Sequence, residues 1–150
     1  MTGPLRTTGE IVEAIRSAFE SRRYDAFVDL FAGDGTYELP FALPPSPQSY
    51  AGVAQIRGRF EAVATSPVGR LLKIQTLSAT VHAGDDPAVT VVEFTAVGTQ
   101  RESGAAFSVV TSIAVIRCEA GRVVQYRDYP NTLGIAAAAG VLQQFAASLK

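Results

Sequence analysis

Beyond Gly69 the chain breaks into four long runs rich in β-branched residues, at 71–81, 88–99, 107–118 and 122–129, and this constrains its fold more than any other feature. The runs are divided by Ala83-Gly84-Asp85-Asp86-Pro87, Glu102-Ser103-Gly104 and Ala120-Gly121, residues that turn a chain within a few positions. Short turns between extended runs leave each strand beside the one before it, so the second half is predicted to be an antiparallel meander. Strands this long twist and curl. A curled sheet has a concave side, and something must cover it.

The first half of the chain supplies the cover. In 10–20 the apolar residues Ile11, Val12, Ile15 and Phe19 recur near every 3.6 positions and draw one stripe on a helix. A second, shorter helix is expected over 24–31, through Phe27, Leu30 and Phe31, with Gly33-Asp34-Gly35 ending it. Residues 36–39 read as a short strand stopped by Pro40, and the four prolines of 40–50 predict a loop without regular structure. Helical spacing returns over 53–65 at Ile56, Phe60 and Val63, closed by Ser66-Pro67. The alanine-rich end, 133–149, reads as one further helix capped by Asn131 or Thr132. Helices first and a meander afterwards define an α+β fold, here a cone-shaped curved antiparallel sheet wrapped on N-terminal helices with an internal pocket.

Composition bounds the function. A length of 150 residues fits one domain, 1–150, with 1–9 expected to form a flexible lead-in. The apolar fraction, 47% against 18% charged, leaves apolar groups for a second buried surface or a cavity. A net charge of −1, from 13 basic and 14 acidic residues without blocks of one sign, argues against nucleic acid and anionic membranes as partners. The single cysteine, Cys118, forms no intramolecular disulfide and offers no pair of thiolate metal ligands, and the start of the chain lacks a signal-peptide core, so a cytoplasmic protein is expected. No run approaches the roughly 20 apolar residues a membrane helix needs.

Two stretches resemble a known family. Phe31-Ala32-Gly33-Asp34-Gly35-Thr36-Tyr37-Glu38-Leu39-Pro40, followed by Tyr50-Ala51-Gly52-Val53-Ala54-Gln55-Ile56-Arg57, is similar to the strand, proline and glycine-led helix of ketosteroid isomerases. Gly121-Arg122-Val123-Val124-Gln125-Tyr126-Arg127-Asp128-Tyr129-Pro130-Asn131-Thr132-Leu133 resembles the ending shared by SnoaL-like cyclases, phenazine-biosynthesis relatives and limonene epoxide hydrolases. With the order of elements, these identify a member of the SnoaL-like, or nuclear transport factor 2-like, superfamily. The resemblance implies the cone and its pocket; it does not imply one reaction. Ketosteroid isomerases hold a general-base aspartate where this chain has Leu39, and an oxyanion-hole tyrosine where it has Ile15. Of the Asp-Arg-Asp set of limonene epoxide hydrolases, Asp128 matches one aspartate, Glu93 falls near the other, and Val91 takes the place of the arginine.

Asp128 is the leading candidate for chemistry. Strand alternation groups Val124, Tyr126 and Asp128 on one face, and if that face is interior, Asp128 is a carboxyl group at the end of an apolar wall, where desolvation raises its pKa. Against this stands a role as a cap of the final helix or as a rim partner of Arg127 or Arg101. Glu93, between apolar neighbours in 91–95, is the candidate second carboxylate if its face also turns inward; otherwise it is a solvated outer residue. Glu38 sits one residue from the isomerase base position and so on the wrong face. Phe41, Leu43 and Tyr50 are placed to form the mouth of a pocket, with Tyr126 within it, or to pack. His82 reads as a surface histidine with no second histidine to share a metal, Asp85 and Asp86 as turn formers, and Cys118 as packing. Neither a G-x-S-x-G elbow nor a glycine-rich phosphate loop occurs, so no cofactor is implied.

These readings converge on a cofactor-independent enzyme without a metal. It would act on an apolar small molecule by acid/base-assisted cyclisation or isomerisation in polyketide-type secondary metabolism. Asp128 and Glu93 are its expected catalytic residues, and Phe41, Tyr50 and Tyr126 its substrate-binding ones. The alternatives are a non-catalytic ligand-binding module of the same fold, or an epoxide hydrolase. A homodimer through the convex face is expected.

Overall fold

The computed structural model describes residues 4–150; positions 1–3 of the expected lead-in lie outside the described residues. Helix α1 (Thr8–Glu20) begins as soon as Thr7 can cap it, the Thr7 hydroxyl accepting from the Glu10 amide at 3.1 Å. The stripe Ile11, Val12, Ile15 is buried as its spacing requires. The helix is fixed to the sheet by polar contacts. Glu20 accepts from the Leu77 amide at 2.9 Å, and Arg16 donates both to Glu20 at 2.8 Å and to the Leu77 carbonyl at 3.0 Å.

Helix α2 (Tyr24–Val28) is shorter than expected, because Phe31, Gly33 and Gly35 belong to strand β1 (Phe31–Glu38). The two glycines carry the chain through a register shift between Phe31 and Thr36, so they work inside the strand and not as a helix stop. The proline-rich segment also holds a short strand, β2 (Ser49–Ala51), where the prolines predicted only loop; pairing of Tyr50 with Tyr37 across the sheet supplies the order. Helix α3 (Val53–Ala64) buries Ile56 and Phe60. Pro67 then starts another helix, α4 (Pro67–Leu71), in keeping with the preference of proline for first helical turns.

Four long strands follow: β3 (Leu72–Ala83), β4 (Val89–Gln100), β5 (Ala106–Glu119) and β6 (Arg122–Pro130). The six strands form one sheet in the order β2-β1-β6-β5-β4-β3. The meander is antiparallel, but β1 joins β6 in parallel, so the sheet is mixed at that seam. Register shifts near Gln75, Thr111 and Val124 bend the sheet into an open curve. The single expected C-terminal helix is two, α5 (Thr132–Ala138) and α6 (Leu142–Ala147), divided at Gly140, whose φ of +76° an alanine would resist. Asn131 caps α5 through the Gly134 amide at 3.0 Å.

Between helices and sheet lies a core centred on aromatic rings. Phe27 is wholly buried and packs edge-on against Phe60, Tyr126 and Phe31, with ring centres 4.8, 5.2 and 5.2 Å away. Truncating a ring held this way costs about 3–5 kcal/mol. The rings fill the concavity beneath α1–α3, and open space is left toward the proline-rich loop. No described helix is long and apolar enough to cross a membrane.

Candidate functional site

The site begins with the pleat of β6. Strand β6 carries an extra residue, Val124, opposite the step from Arg117 to Cys118 in β5. This bulge shifts the alternation, so Val123 and not Val124 is buried in the core with Tyr126. Asp128 follows two residues after Tyr126 and pairs with Ala114, which has no exposure, so its side chain shares the concave face. An interior face was the condition set for a chemical role of Asp128, although Val124, grouped with it in the sequence, is not part of the buried core.

Parallel pairing of β1 with β6 puts Tyr37 beside Tyr126, and their rings stack with centres 5.6 Å apart. The Tyr37 hydroxyl reaches past Tyr126 to donate a hydrogen bond to Asp128 Oδ2. The other carboxyl oxygen, Oδ1, is sealed from solvent without a protein partner, as are the Tyr126 hydroxyl and Arg59 Nε. Burial pushes the Asp128 carboxyl up to about 6, against the opposing pull of the Tyr37 hydrogen bond and the Arg59 charge. Burial and the Asp128 charge push both phenols well above their ordinary range, so both stay protonated, and that of Tyr37 is the donor to Asp128.

A cavity of about 770 Å³ opens beside this cluster. The proline-rich loop forms one wall, through Phe41, Leu43 and Pro44 to Pro47, and Leu133, Phe145 and Leu149 form the other. Leu39, Tyr50 and Arg59 line its inner end, and the Tyr50 ring lies 6.2 Å from that of Tyr37. Phe41 is 73% exposed and rests edge-on against Tyr129 at 5.0 Å, as a residue at a cavity mouth does. Neither Asp128 nor the Tyr37 that bonds it is in the lining; Tyr50, which is, stands next to Tyr37.

The expected carboxylate pair does not assemble. Glu93 alternates with the buried Val92 and Phe94 and lies on the convex face, where His82 Nε2 sits 2.9 Å from its Oε2. A single-residue phase on a strand decides between the two faces, and the apolar neighbours of Glu93 gave no hint of which face is outside. Val91 shares that outer face, so no Asp-Arg-Asp arrangement forms around it. Glu38 also points outward and accepts from Gln125 Nε2 at 2.7 Å. Leu39 and Ile15, at the two isomerase positions, are buried. Among the described residues no group of three His, Cys, Asp or Glu side chains gathers as metal ligands would.

Two members of the cluster escaped the sequence reading. Tyr37 alternates in phase with Leu39, a position already recognised as interior, and could have been found there. Arg59 follows Ile56 by three residues and precedes Phe60, so it stands beside the apolar stripe of α3; a charge in that position is the signal.

Residues 12–126 match the family model of the SnoaL-like domain, and the chain belongs to that family. Among solved structures it is similar to a Bacillus subtilis protein provisionally assigned as an isomerase, at 24% identity and a TM-score of 0.68 over 89% of this chain and 92% of the other. It is also similar to a provisionally assigned polyketide cyclase of Pseudomonas putida, at 19% identity and a TM-score of 0.60 over 88% and 97%. A third is the epoxide hydrolase/cyclase-like enzyme of pyran ring formation in the polyether salinomycin, at 19% identity and a TM-score of 0.58 over 84% and 92%. At such identities the likeness establishes the fold. No curated protein matches the sequence.

Proposed function

We propose that the chain is a cofactor-independent enzyme that takes an apolar small molecule into the cavity and moves a proton to cyclise or isomerise it. The observation that carries this reading is Asp128: a carboxyl group raised to about 6, held by Tyr37 and facing the Tyr126 hydroxyl. Such a group is about nine-tenths ionised at pH 7 and far more basic than an ordinary carboxylate, which suits a general base. Tyr126, expected to bind substrate, is wholly buried and outside the cavity lining, so its phenol shapes the surroundings of Asp128 and does not itself meet the substrate. Much of the remaining acceleration would come from folding a flexible substrate against the apolar walls. Cyclase and epoxide hydrolase/cyclase relatives of the same fold support a substrate of polyketide type.

One observation favours a second reading, a ligand-binding module without chemistry. Tyr37 and Tyr50 stand between Asp128 and the open cavity, and the isomerase positions hold Leu39 and Ile15. Screening against polyketide-like, steroid and terpene-epoxide compounds by native mass spectrometry, with product analysis of each hit, separates the two. An enzyme converts a hit, and Asp128→Asn lowers turnover by about 100-fold or more without weakening binding. Hits that bind and are never converted leave the binding module.

A further inference from the structure

Arg59 is the one charged side chain among the described residues that line the cavity, whose walls are otherwise mostly leucine, phenylalanine and proline with the hydroxyls of Ser46, Tyr50, Thr132 and Ser148. It appears in none of the ion pairs among the described residues. Its Nε is sealed from solvent without a partner. A guanidinium never loses its charge, and buried polar nitrogens in native proteins are nearly always hydrogen-bonded. Tyr37 bonds one oxygen of the nearby Asp128 and the other stays unpartnered, so Asp128 and Arg59 act on each other through charge without a hydrogen bond between them, and the fork of Arg59 is uncommitted. Arg59 and Tyr50 also line a neighbouring hollow of about 460 Å³, with Pro47, Ser49, Gln55, Gly58 and Ala62, so the guanidinium forms part of the partition between two spaces. It is therefore held at the inner end of an apolar cavity, on the rigid frame of α3.

We propose that Arg59 is the anchor for an acidic group of the ligand, and that the cavity takes an apolar molecule bearing a carboxylate, with the carboxylate on Arg59 and the apolar body between the proline-rich loop and α6. The planar fork matches a carboxylate in bidentate geometry, and the largely apolar cavity walls beside it weaken screening of the pair by water. The cavity, about 770 Å³, holds a body the size of a medium-chain acid with room to spare. An anchored carboxylate would also fix which part of the substrate comes toward Tyr37 and Asp128. This inference deepens the reading of the cavity as a substrate pocket and does not require that the bound molecule be converted.

Decanoate and 1-decanol share a chain and differ in charge, so their affinities isolate the anchor. Titration calorimetry at pH 7.5 should show decanoate binding the intact protein about tenfold or more tightly than 1-decanol. Arg59→Met should abolish that preference through a loss of decanoate affinity, and Arg59→Lys should keep part of it. Asp128→Asn, which removes a nearby negative charge, should strengthen decanoate binding alone; a gain of this kind cannot come from misfolding. Equal affinity for the two probes, a preference that survives Arg59→Met, or failure of both to bind would overturn the proposal. Turnover plays no part in these comparisons, so a cavity that binds decanoate through Arg59 and converts nothing would sink the catalytic reading and leave the anchor standing.

Discussion

Asp128 sets the behaviour of the site at the level of one residue, and its burial has a thermodynamic consequence. In the folded chain it holds its proton up to about pH 6, whereas an unfolded aspartic acid releases it near 3.8. Between those values the folded state binds more protons than the unfolded state, so this residue's contribution to stability is complete below pH 4 and is lost as the pH rises through 6. The loss amounts to at most about 3 kcal/mol. Thermal melts of the wild type and Asp128→Asn across pH 4–7 should diverge over that window, with the wild type falling relative to the variant; parallel curves would contradict the buried carboxyl group. Tyr37 acts in the opposite sense, since its hydrogen bond favours the ionised form. Tyr37→Phe should therefore raise the Asp128 pKa, seen as an upward move of the carboxyl titration followed by NMR, and should cost about 1 kcal/mol of stability. The face of Asp128 was legible because Tyr126 and the apolar run before it mark an interior wall, even across the bulge at Val124. That of Glu93 was not, because Val91, Val92 and Phe94 are apolar on both faces of β4, and a strand with two apolar faces carries no phase.

At the scale of the element, the long meander was legible and its irregularities were not. Alternation and turn residues identify β3 to β6, but a bulge leaves the composition of a strand untouched and shows only in the pairing. Glycine is the exception. Gly98 in β4 faces the shift between Ile74 and Thr76 of β3, and a methyl group there would stand 2.0 Å from the Lys73 carbonyl oxygen. No side-chain rotation relieves a clash with backbone. Gly98→Ala should therefore destabilise the protein by about 3 kcal/mol, read as a lower urea midpoint with an unchanged slope. The helices divide in the same way. The stripe of α1 predicts both its existence and its buried face, whereas α2 was drawn too long because Phe31 fits a helical stripe as well as it starts a strand. Its true place is decided by pairing with Val123, 92 residues away in the chain. Local spacing cannot express a contact of that range.

For the whole molecule, the apolar surplus noted in the sequence must be shared among the aromatic core, the cavity and any further surface. The convex face of the sheet holds such a surface: Val97, Val110 and Ile113 are 43%, 42% and 39% exposed and lie on neighbouring strands β4 and β5. The Glu93–His82 pair borders them on the same face. Exposed apolar side chains gathered on one sheet face, here interleaved with Thr95, Ser108 and Glu93, are a mark of an interface, and a twofold pairing of two such sheets would bury the same residues on both copies. We propose a homodimer through this face. Its interface would need to cover on the order of 800 Å² per copy to be stable, an area that a sheet of this size can offer. Multi-angle light scattering should give twice the chain mass, 15.8 kDa each, at micromolar concentration. Ile113→Glu, which places two like charges across the axis, should shift the mass to that of one chain while leaving the circular dichroism spectrum intact. A wild-type mass of one chain that does not change with concentration would refute the dimer. The cavity, Arg59 and Asp128 lie on the concave side, so the Ile113→Glu monomer should still bind ligand; loss of binding together with the dimer would mean that the convex face supports the site through the sheet.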